Sequence, residues 1–286
     1  MILGVLGGSG LYDLDGLSDA RLEEVSTPFG PPSAPIVSGG IGPARLLFLP
    51  RHGRGHRFSP SEINYRANVF ALKSLGAERV LSVSAVGSLR EGLAPGDFVL
   101  PDQFIDKTFR RASTFFGDGV VGHVGFAEPT CPAFSGAVAE AAAELEKAGK
   151  RVHRGGTYVC MEGPQFSTRA ESMLHRTWGA DVIGMTAVTE AKLCREAEVC
   201  FASLALVTDY DAWHAEEAAV SVEAVIAVLR ANVAGAQDIS RRLGEHVPGA
   251  APCACARAAA NAVITAPDAI SAEARGRLRL LHGRDS

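Results

Sequence analysis

The sequence has no excess of positive charge, no long apolar run and no N-terminal leader pattern. Its 286 residues carry a formal net charge of −4, which argues against a nucleic-acid partner, because such proteins present a basic surface to phosphates. No apolar run approaches the length of a membrane span, and the N-terminus lacks the basic start of a signal peptide. The hydrophobic share of 47% and charged share of 21% are typical of a globular protein. We therefore expect a cytoplasmic enzyme.

The sequence also lacks the usual spacing of metal-binding cysteines. No C-x-x-C occurs, and the cysteines of Cys253-Ala254-Cys255 are too close for a usual pair of zinc ligands. The sequence therefore predicts no metal site and, as in most reducing compartments, free thiols. The other four cysteines are Cys131, Cys160, Cys194 and Cys200.

Apolar runs alternate with helical patterns along the chain. Several of the runs are continuous, which is typical of strands in a sheet that is covered on both faces. The pattern predicts one α/β sandwich domain over residues 1–245 and an Ala/Arg-rich extension over 246–286 with one or two helices. The predicted strands are Ile2–Leu6, Leu46–Leu49, Val80–Val86, Phe98–Leu100, Thr157–Cys160, Asp181–Met185 and Val199–Thr208.

Three helices carry recognisable signals. Ser59-Pro60-Ser61-Glu62 predicts a helix start, and that helix is expected to end near Gly76. Thr168 and Glu171 form a second capping-box pattern. The stretch Ser221–Leu243 repeats apolar residues at helical spacing.

The first predicted strand runs into a glycine-rich turn, Gly7-Gly8-Ser9-Gly10. A dinucleotide fingerprint would need a third glycine, but that position holds Asp13. No Gly-Lys-Ser/Thr occurs, so a triphosphate-binding loop is excluded as well. A small nest of N–H groups with the Ser9 hydroxyl suits a single phosphate. A plain structural turn is the alternative.

Polar residues follow three of the predicted strands. One strand leads into Arg51 and His52, a second contains Ser84 near its end, and a third leads into Asp209 and Asp211. The first two suit an oxyanion, and a buried carboxyl group in the third could act as a general acid. Because ligands of open α/β sheets bind at strand ends, these residues are candidates for one site. A solvated basic turn and a surface turn capped by Asp209 are the alternatives.

The order of these motifs resembles the 5′-methylthioadenosine phosphorylase branch of the trimeric purine nucleoside phosphorylases, over about residues 1–243. That resemblance implies an α/β/α sandwich around a mixed, partly barrel-like sheet and a homotrimer. The C-x-C tail is similar to that of archaeal relatives, some of them hexameric, so a hexamer and a disulfide to Cys194 or Cys200 stay open. The motifs are Gly7–Leu11, Arg51–Gly53, Asn64–Asn68, Ala85–Leu89, Asp102–Asp106, Glu162–Ser167, Met185-Thr186 and Thr208–Trp213.

The resemblance also implies roles for individual residues. Asp209 and Asp211 would be catalytic at the purine edge, with inorganic phosphate as co-substrate and no cofactor. His123 would reach the site of a neighbouring subunit. The implied phosphate ligands are Ser9, Arg51, His52, Ser84, Ala85 and Thr186. The other implied substrate contacts are Met185, Phe166, Ser167, Val222, Val225, Ile226 and His56.

The implied reaction is phosphate-dependent cleavage of 5′-methylthioadenosine, or a related 5′-modified adenosine, in purine and methionine salvage. Carboxylates at Asp209 and Asp211 favour a 6-aminopurine, whose exocyclic group donates hydrogen bonds. The alternatives are a broader or 6-oxopurine-preferring phosphorylase, a nucleoside hydrolase that uses water, and a nucleotide-binding protein without turnover.

Overall fold

The computed structural model describes residues 1–8, 17–214, 222–246 and 253–282. Eleven strands in these ranges form one mixed sheet. The strands are β1 Ile2–Gly7, β2 Ser18–Glu23, β3 Ile36–Ile41, β4 Ala44–Pro50, β5 Arg79–Ser88, β6 Phe98–Leu100, β7 Gln103–Lys107, β8 Val152–Arg154, β9 Thr157–Met161, β10 Val182–Gly184 and β11 Cys200–Asp209. The helices are α1 Tyr65–Ser74, α2 Pro132–Ala141, α3 Ala143–Lys147, α4 Arg169–Thr177, α5 Ala187–Glu196, α6 Val222–Glu245 and α7 Ala272–His282, with short 3₁₀ helices at Ala254–Arg257 and Pro267–Ala269.

Strand β5 is the branch point of the sheet. The main path runs β2-β3-β4-β1-β5-β10-β9-β7, while β11 pairs along the other edge of β5 and leads to β6 and β8. On the first edge, β5 pairs in parallel with β1 up to Ser82 and antiparallel with β10 from Gly87. This change of partner, at residues 83–86, is a topological switch point, where α/β sheets commonly bind ligands.

Helices cover both faces of the sheet, as the continuous apolar runs predict. On one face α1, α5 and α7 pack over a core that includes Leu6, Leu49 and Val80. On the other, α2 and α6 pack over a core that includes Leu81 and Leu204. The α/β/α sandwich and the branched, mixed sheet are thereby confirmed.

The C-terminal extension packs against the same core. Helix α7 and the preceding loop bury Ala259, Leu278 and Leu281 beside α1 and α5. Val263 pairs with Gly122 in an isolated bridge. The extension therefore completes one face of the sandwich. Among the helices that the structure describes, none is both long and apolar enough to cross a bilayer.

The predicted start of the first helix is wrong by one turn and a half. Ser59 and Glu62 do form capping-type bonds, with the Ser59 hydroxyl donating to Glu62 Oε2 at 2.6 Å, but they close only a turn. Helix α1 begins at Tyr65, because the Asn64 side chain accepts from the Ala67 N–H at 3.1 Å and caps it. The end near Gly76, at φ +86°, and the capping box at Thr168–Glu171 are confirmed.

Candidate active site

The carboxyl ends of β1, β4, β5 and β11 meet at one edge of the switch point. Gly7 pairs with Pro50 across β1 and β4, and the Arg51 N–H donates to Gly7 O at 3.0 Å. Along β5, Gly87 pairs with both Ile183 and Asp209. The strand ends that carry the predicted residues are therefore neighbours.

Arg51 lies beneath this edge rather than on its surface. Its side chain is 1% exposed and forms a two-armed ion pair with Glu190, at 2.7 and 3.0 Å. It also donates to Leu6 O at 2.9 Å and Val83 O at 2.6 Å. These bonds tie together β1, β5 and α5, so the Arg51 guanidinium fixes the frame around the proposed phosphate site and its charge is compensated internally.

His52 is buried beside Arg51 and is uncharged at neutral pH. Burial, together with the positive charge of Arg51, lowers the pKa of His52 to about 3. Its Nδ1 lies 2.8 Å from Phe58 O, so Nδ1 carries the proton and Nε2 is left as an acceptor. The ring stacks on His56 with centroids 4.1 Å apart. His52 and His56 have the four-residue spacing that brings side chains together on a helix, but here a turn brings the two rings together.

Ser84 and Ala85 lie near the end of β5, and Thr186 precedes α5, a helix that packs against β5. Ser84 is buried, with its hydroxyl 3.5 Å from the hydroxyl of Tyr158. Thr186 is the N-cap residue of the ten-residue helix α5, yet its side chain makes no capping bond. The first N–H groups of a helix attract anions, so this corner suits phosphate. Ser9 lies outside the described residues.

Asp209 ends β11 at a bulge and is half-buried. One of its carboxylate oxygens accepts from the Thr208 hydroxyl at 2.7 Å and the other from the Asp211 N–H at 2.8 Å. Burial nevertheless raises the pKa of Asp209 above its usual range. A raised pKa favours the protonated carboxyl group, which is the form that a general acid needs.

Asp211 adopts a left-handed backbone conformation, at φ +50°, and its side chain is buried. Its Oδ2 has no hydrogen-bond partner among the described residues. A buried carboxylate oxygen without a donor is costly, so this atom is suited to accept from a bound ligand. Gly87 lets both carboxylates approach β5, because a Cβ there would lie 2.9 Å from Asp209 Oδ1 and 3.1 Å from Asp211 Cβ.

Aromatic packing holds the loop that carries the two carboxylates. The Trp213 indole N–H donates to Ser88 O at 2.7 Å, and the Arg176 guanidinium lies 3.5 Å from the centre of the Trp213 ring. Tyr210 stacks on His214 at 4.7 Å. These contacts fix the loop against β5 and α4, so the carboxylates are positioned before any ligand binds.

Met185 directly precedes Thr186, and its backbone oxygen is held by Arg111, a residue that the sequence did not indicate. Arg111 donates to Met185 O and also bonds Glu162, which accepts from the Phe109 N–H at 2.6 Å. Gly163, at φ +66°, allows the Met185 sulfur to approach, because a Cβ there would lie 2.5 Å from it. Glu190, Arg111 and Tyr158 stand outside the motifs named from the sequence. Glu162 opens one of those motifs, but only the fold shows that it bonds Arg111.

The remaining predicted contacts are not joined to this centre by bonds among the described residues. Phe166 and Ile226 are 43% and 41% exposed. The Ser167 hydroxyl lies 3.7 Å from the Met161 sulfur. The His123 N–H donates to Ala262 O at 2.8 Å, a bond that links the loop containing His123 to the C-terminal extension. The side chains of Val222 and Val225 lie outside what the structure describes.

Comparison with known proteins agrees with this geometry. A sequence model described as the phosphorylase superfamily matches residues 2–244, so the chain belongs to that superfamily. Its relatives within it are S-methyl-5′-thioadenosine phosphorylases. The protein of that name from Geobacter sulfurreducens is 54% identical over 99% of this chain and 98% of its own length, and that from Thermosynechococcus vestitus is 52% identical over 98% and 97%.

Solved structures give the same picture of the fold. A methylthioadenosine phosphorylase from an antarctic soil metagenomic library superimposes with a TM-score of 0.91 at 47% identity, covering 98% of both chains. The Schistosoma mansoni methylthioadenosine phosphorylase, solved in complex with adenine, has a TM-score of 0.82 at 40% identity, covering 85% of this chain and 91% of its own. The resemblance to the methylthioadenosine phosphorylase branch is thus confirmed.

Proposed function

We propose that this chain cleaves 5′-methylthioadenosine with inorganic phosphate, giving adenine and 5-methylthioribose 1-phosphate. The observation that carries the proposal is the pair of carboxylates, half-buried Asp209 and buried Asp211, that lie against Gly87 of β5. Relatives about half identical over nearly their full length bear the name of this activity. The enzyme is accordingly a nucleoside phosphorylase, that is, a pentosyltransferase.

The phosphate corner would hold the nucleophile with neutral donors. The Ser84 and Thr186 hydroxyls, the Ala85 backbone and the start of α5 would face the anion, together with the Ser9 hydroxyl that the family resemblance implies. Since Arg51 is paired with Glu190, it orients this corner instead of supplying a free charge. Neutral His52 can accept a hydrogen bond at Nε2 from the protonated oxygen of hydrogen phosphate.

The reaction breaks the bond between C1′ of the ribose and N9 of the purine. The electron pair of that bond goes to the purine, and a phosphate oxygen forms the new bond to C1′ from the opposite face. Asp209 gives its proton, or a strong hydrogen bond, to N7 as negative charge develops on the base. Met185, which directly precedes Thr186, would line the ribose.

The same carboxylates favour adenine over a 6-oxopurine. The unpartnered Asp211 Oδ2 can accept from an exocyclic 6-amino group, whereas a 6-oxo group would leave two acceptors facing each other. Phe166, Ser167 and His56 would contact the nucleoside, and Val222, Val225 and Ile226 would bury an apolar 5′-substituent at about 0.8 kcal/mol per CH₂ group.

The direct test is release of free base from four nucleosides with and without phosphate. 5′-Methylthioadenosine, adenosine, inosine and 5′-methylthioinosine are compared by kcat/KM. We expect phosphate-dependent release, fastest from the methylthioadenosine. Faster hypoxanthine release would favour the 6-oxopurine alternative, and release without phosphate would mean a hydrolase.

Assembly, location and pathway are part of the same proposal. We propose a cytoplasmic homotrimer, or a hexamer of two trimers, that serves purine and methionine salvage without a cofactor. The exposure of Phe166 and Ile226 supports a site completed by a neighbouring subunit, to which His123 would contribute. Light scattering after size exclusion measures the assembly, and a monomer with full activity would contradict it.

A further inference from the structure

Four of the six cysteines converge at a point away from the proposed active site. Cys131 precedes α2, Cys200 is the first residue of β11, and Cys253 and Cys255 flank Ala254 where the 3₁₀ helix begins. Their four sulfur atoms all lie within 4.8 Å of one another. Cys160 and Cys194 are buried elsewhere and do not belong to this four-cysteine cluster.

We propose that the four-cysteine cluster binds a zinc ion in a closed tetrahedral site. Zinc with four thiolate ligands has bonds of about 2.3 Å, which places the sulfurs about 3.8 Å apart. The cluster needs only small adjustments to reach that geometry, since its sulfur atoms lie within 4.8 Å of one another and Cys200 and Cys253 are 3.3 Å apart. Since all four ligands come from the protein, the site has no open position and is structural.

The surroundings of the cluster suit the negative charge of a zinc–tetrathiolate centre. An Arg195 Nη1 donates to the Cys255 sulfur at 3.9 Å, and Arg79 pairs with Cys200 in the β5–β11 register. Cys131 stands at the N-terminus of the ten-residue helix α2, whose dipole favours an anion.

The fold explains why the sequence predicted no such site. The expectation rested on the one-residue gap between Cys253 and Cys255 and on the absence of C-x-x-C. The other two ligands come from positions far apart in the sequence, and only the packing of α2 against β11 brings them to the tail. Cys200 and Cys253 are already 3.3 Å apart at sulfur.

Zinc at this point would fasten the C-terminal extension to the catalytic sandwich. The tail continues from Cys255 to Ala259 and Ala262, which meet the loop that holds His123. Because a structural ion contributes its binding free energy to folding, its removal should destabilise the tail first.

The test is metal content and cobalt spectroscopy of the full chain. The protein is produced with added zinc and purified with a non-chelating reductant, and bound metals are measured by mass spectrometry. We expect one zinc per chain, lost to background in Cys200→Ser and Cys253→Ser but retained in Cys160→Ala. Cobalt added to reduced, metal-free protein should give the thiolate charge-transfer and ligand-field bands of a tetrahedral site.

Two results would overturn the proposal. The first is reduced wild-type protein that holds no stoichiometric metal and gives no cobalt bands. The second is protein whose four thiols are blocked when counted under denaturing, non-reducing conditions, because that means disulfides. The cobalt titration uses wild-type protein, so the proposal stays testable even if the serine variants fail to fold.

Discussion

The two ends of the proposed active site share β5 but are built on opposite electrostatic principles. At the phosphate end, the charge of Arg51 is paired with Glu190, and its guanidinium also donates to backbone oxygens. At the purine end, burial raises the pKa of Asp209, and Asp211 Oδ2 has no partner in the described structure. The buried charge at one end is paired before the ligand arrives, whereas a buried carboxylate oxygen at the other end has no partner until a ligand binds.

This difference separates stability from chemistry. A compensated buried ion pair is rigid and contributes little net attraction to a ligand, but removing one member is costly. A buried carboxyl group with a raised pKa costs stability and gains reactivity. Substitutions at the phosphate end should therefore act on folding, and substitutions at the purine end should act on turnover and on the choice of base.

The largest effect is expected from Asp209→Asn. The amide keeps the shape and can still accept from the Asp211 N–H, but it has no proton to give to N7. We expect kcat for 5′-methylthioadenosine to fall roughly 10²–10⁴-fold, with the melting temperature nearly unchanged. Steady-state kinetics measures this, and a kcat within a few-fold of wild type would remove Asp209 from the role of acid.

The pH profile adds a second readout for the same residue. Only the protonated carboxyl group can donate, so the wild-type rate should decline as pH rises through the raised pKa of Asp209. That limb should be absent in Asp209→Asn. Its persistence in the variant would assign the limb to another group.

The next largest effect concerns the pH dependence of stability at His52. Its folded pKa of about 3 lies below the ordinary value of 6.5, so between these values the unfolded chain binds a proton that the folded chain does not. The unfolding free energy should therefore fall as pH drops from about 6.5 to 3, by up to about 5 kcal/mol from this group.

His52→Asn isolates that contribution. Asparagine can still donate to Phe58 O but does not titrate, so its stability should depend less steeply on pH than that of wild type. Denaturant unfolding at a series of pH values in phosphate-free buffer compares the two slopes. Parallel profiles would show that other groups carry the acid sensitivity.

The next effect in size is the loss of unfolding free energy when the Arg51–Glu190 ion pair at the phosphate end is broken. Glu190→Gln leaves the Arg51 guanidinium buried without a counter-charge and should lower the unfolding free energy by about 3–5 kcal/mol. The matched control is Glu146→Gln, which breaks a pair with Arg154 at 2.9 Å on the surface and should leave the unfolding free energy almost unchanged. Equal losses in the two variants would contradict the buried-pair interpretation.

The strands that form the site could be predicted from the sequence because they are buried on both faces. β4, β5 and β11 are continuous apolar runs whose ends carry unusual polar residues. β2 and β3 were missed, since β2 is mostly exposed and polar and β3 contains Gly39 and Gly40. A polar or glycine-rich strand has no apolar pattern to recognise.

The supporting residues of the site could not be predicted for a different reason. Glu190 lies in a helical sequence with Lys192 and Arg195 close by, where a glutamate is normally solvated. Its burial depends on Arg51, which is more than a hundred positions away. Partners of buried charges are set by the tertiary fold and leave no local signal, and the same holds for the four converging cysteines.

The smallest expected effect is on the choice of base, through Asp211→Asn. Asparagine tolerates the left-handed backbone at this position, so the loop should keep its shape. The change replaces an acceptor with a group that can donate to a 6-oxo oxygen. We expect kcat/KM for 5′-methylthioadenosine to fall about 10- to 100-fold, which is the contribution of a hydrogen bond to a charged group. We expect kcat/KM for 5′-methylthioinosine to rise.

Asp118→Asn is the matched control for this variant. Asp118 has a similar backbone conformation, at φ +47°, and lies in an exposed loop where it pairs with Arg277. Asp118→Asn should leave the ratio of kcat/KM for 5′-methylthioadenosine to kcat/KM for 5′-methylthioinosine unchanged. If Asp211→Asn lowers kcat/KM equally for both substrates, the unpartnered oxygen affects the shape of the loop and does not discriminate between the bases. The electrostatic difference between the paired charge at the phosphate end and the purine end would then depend on Asp209 alone.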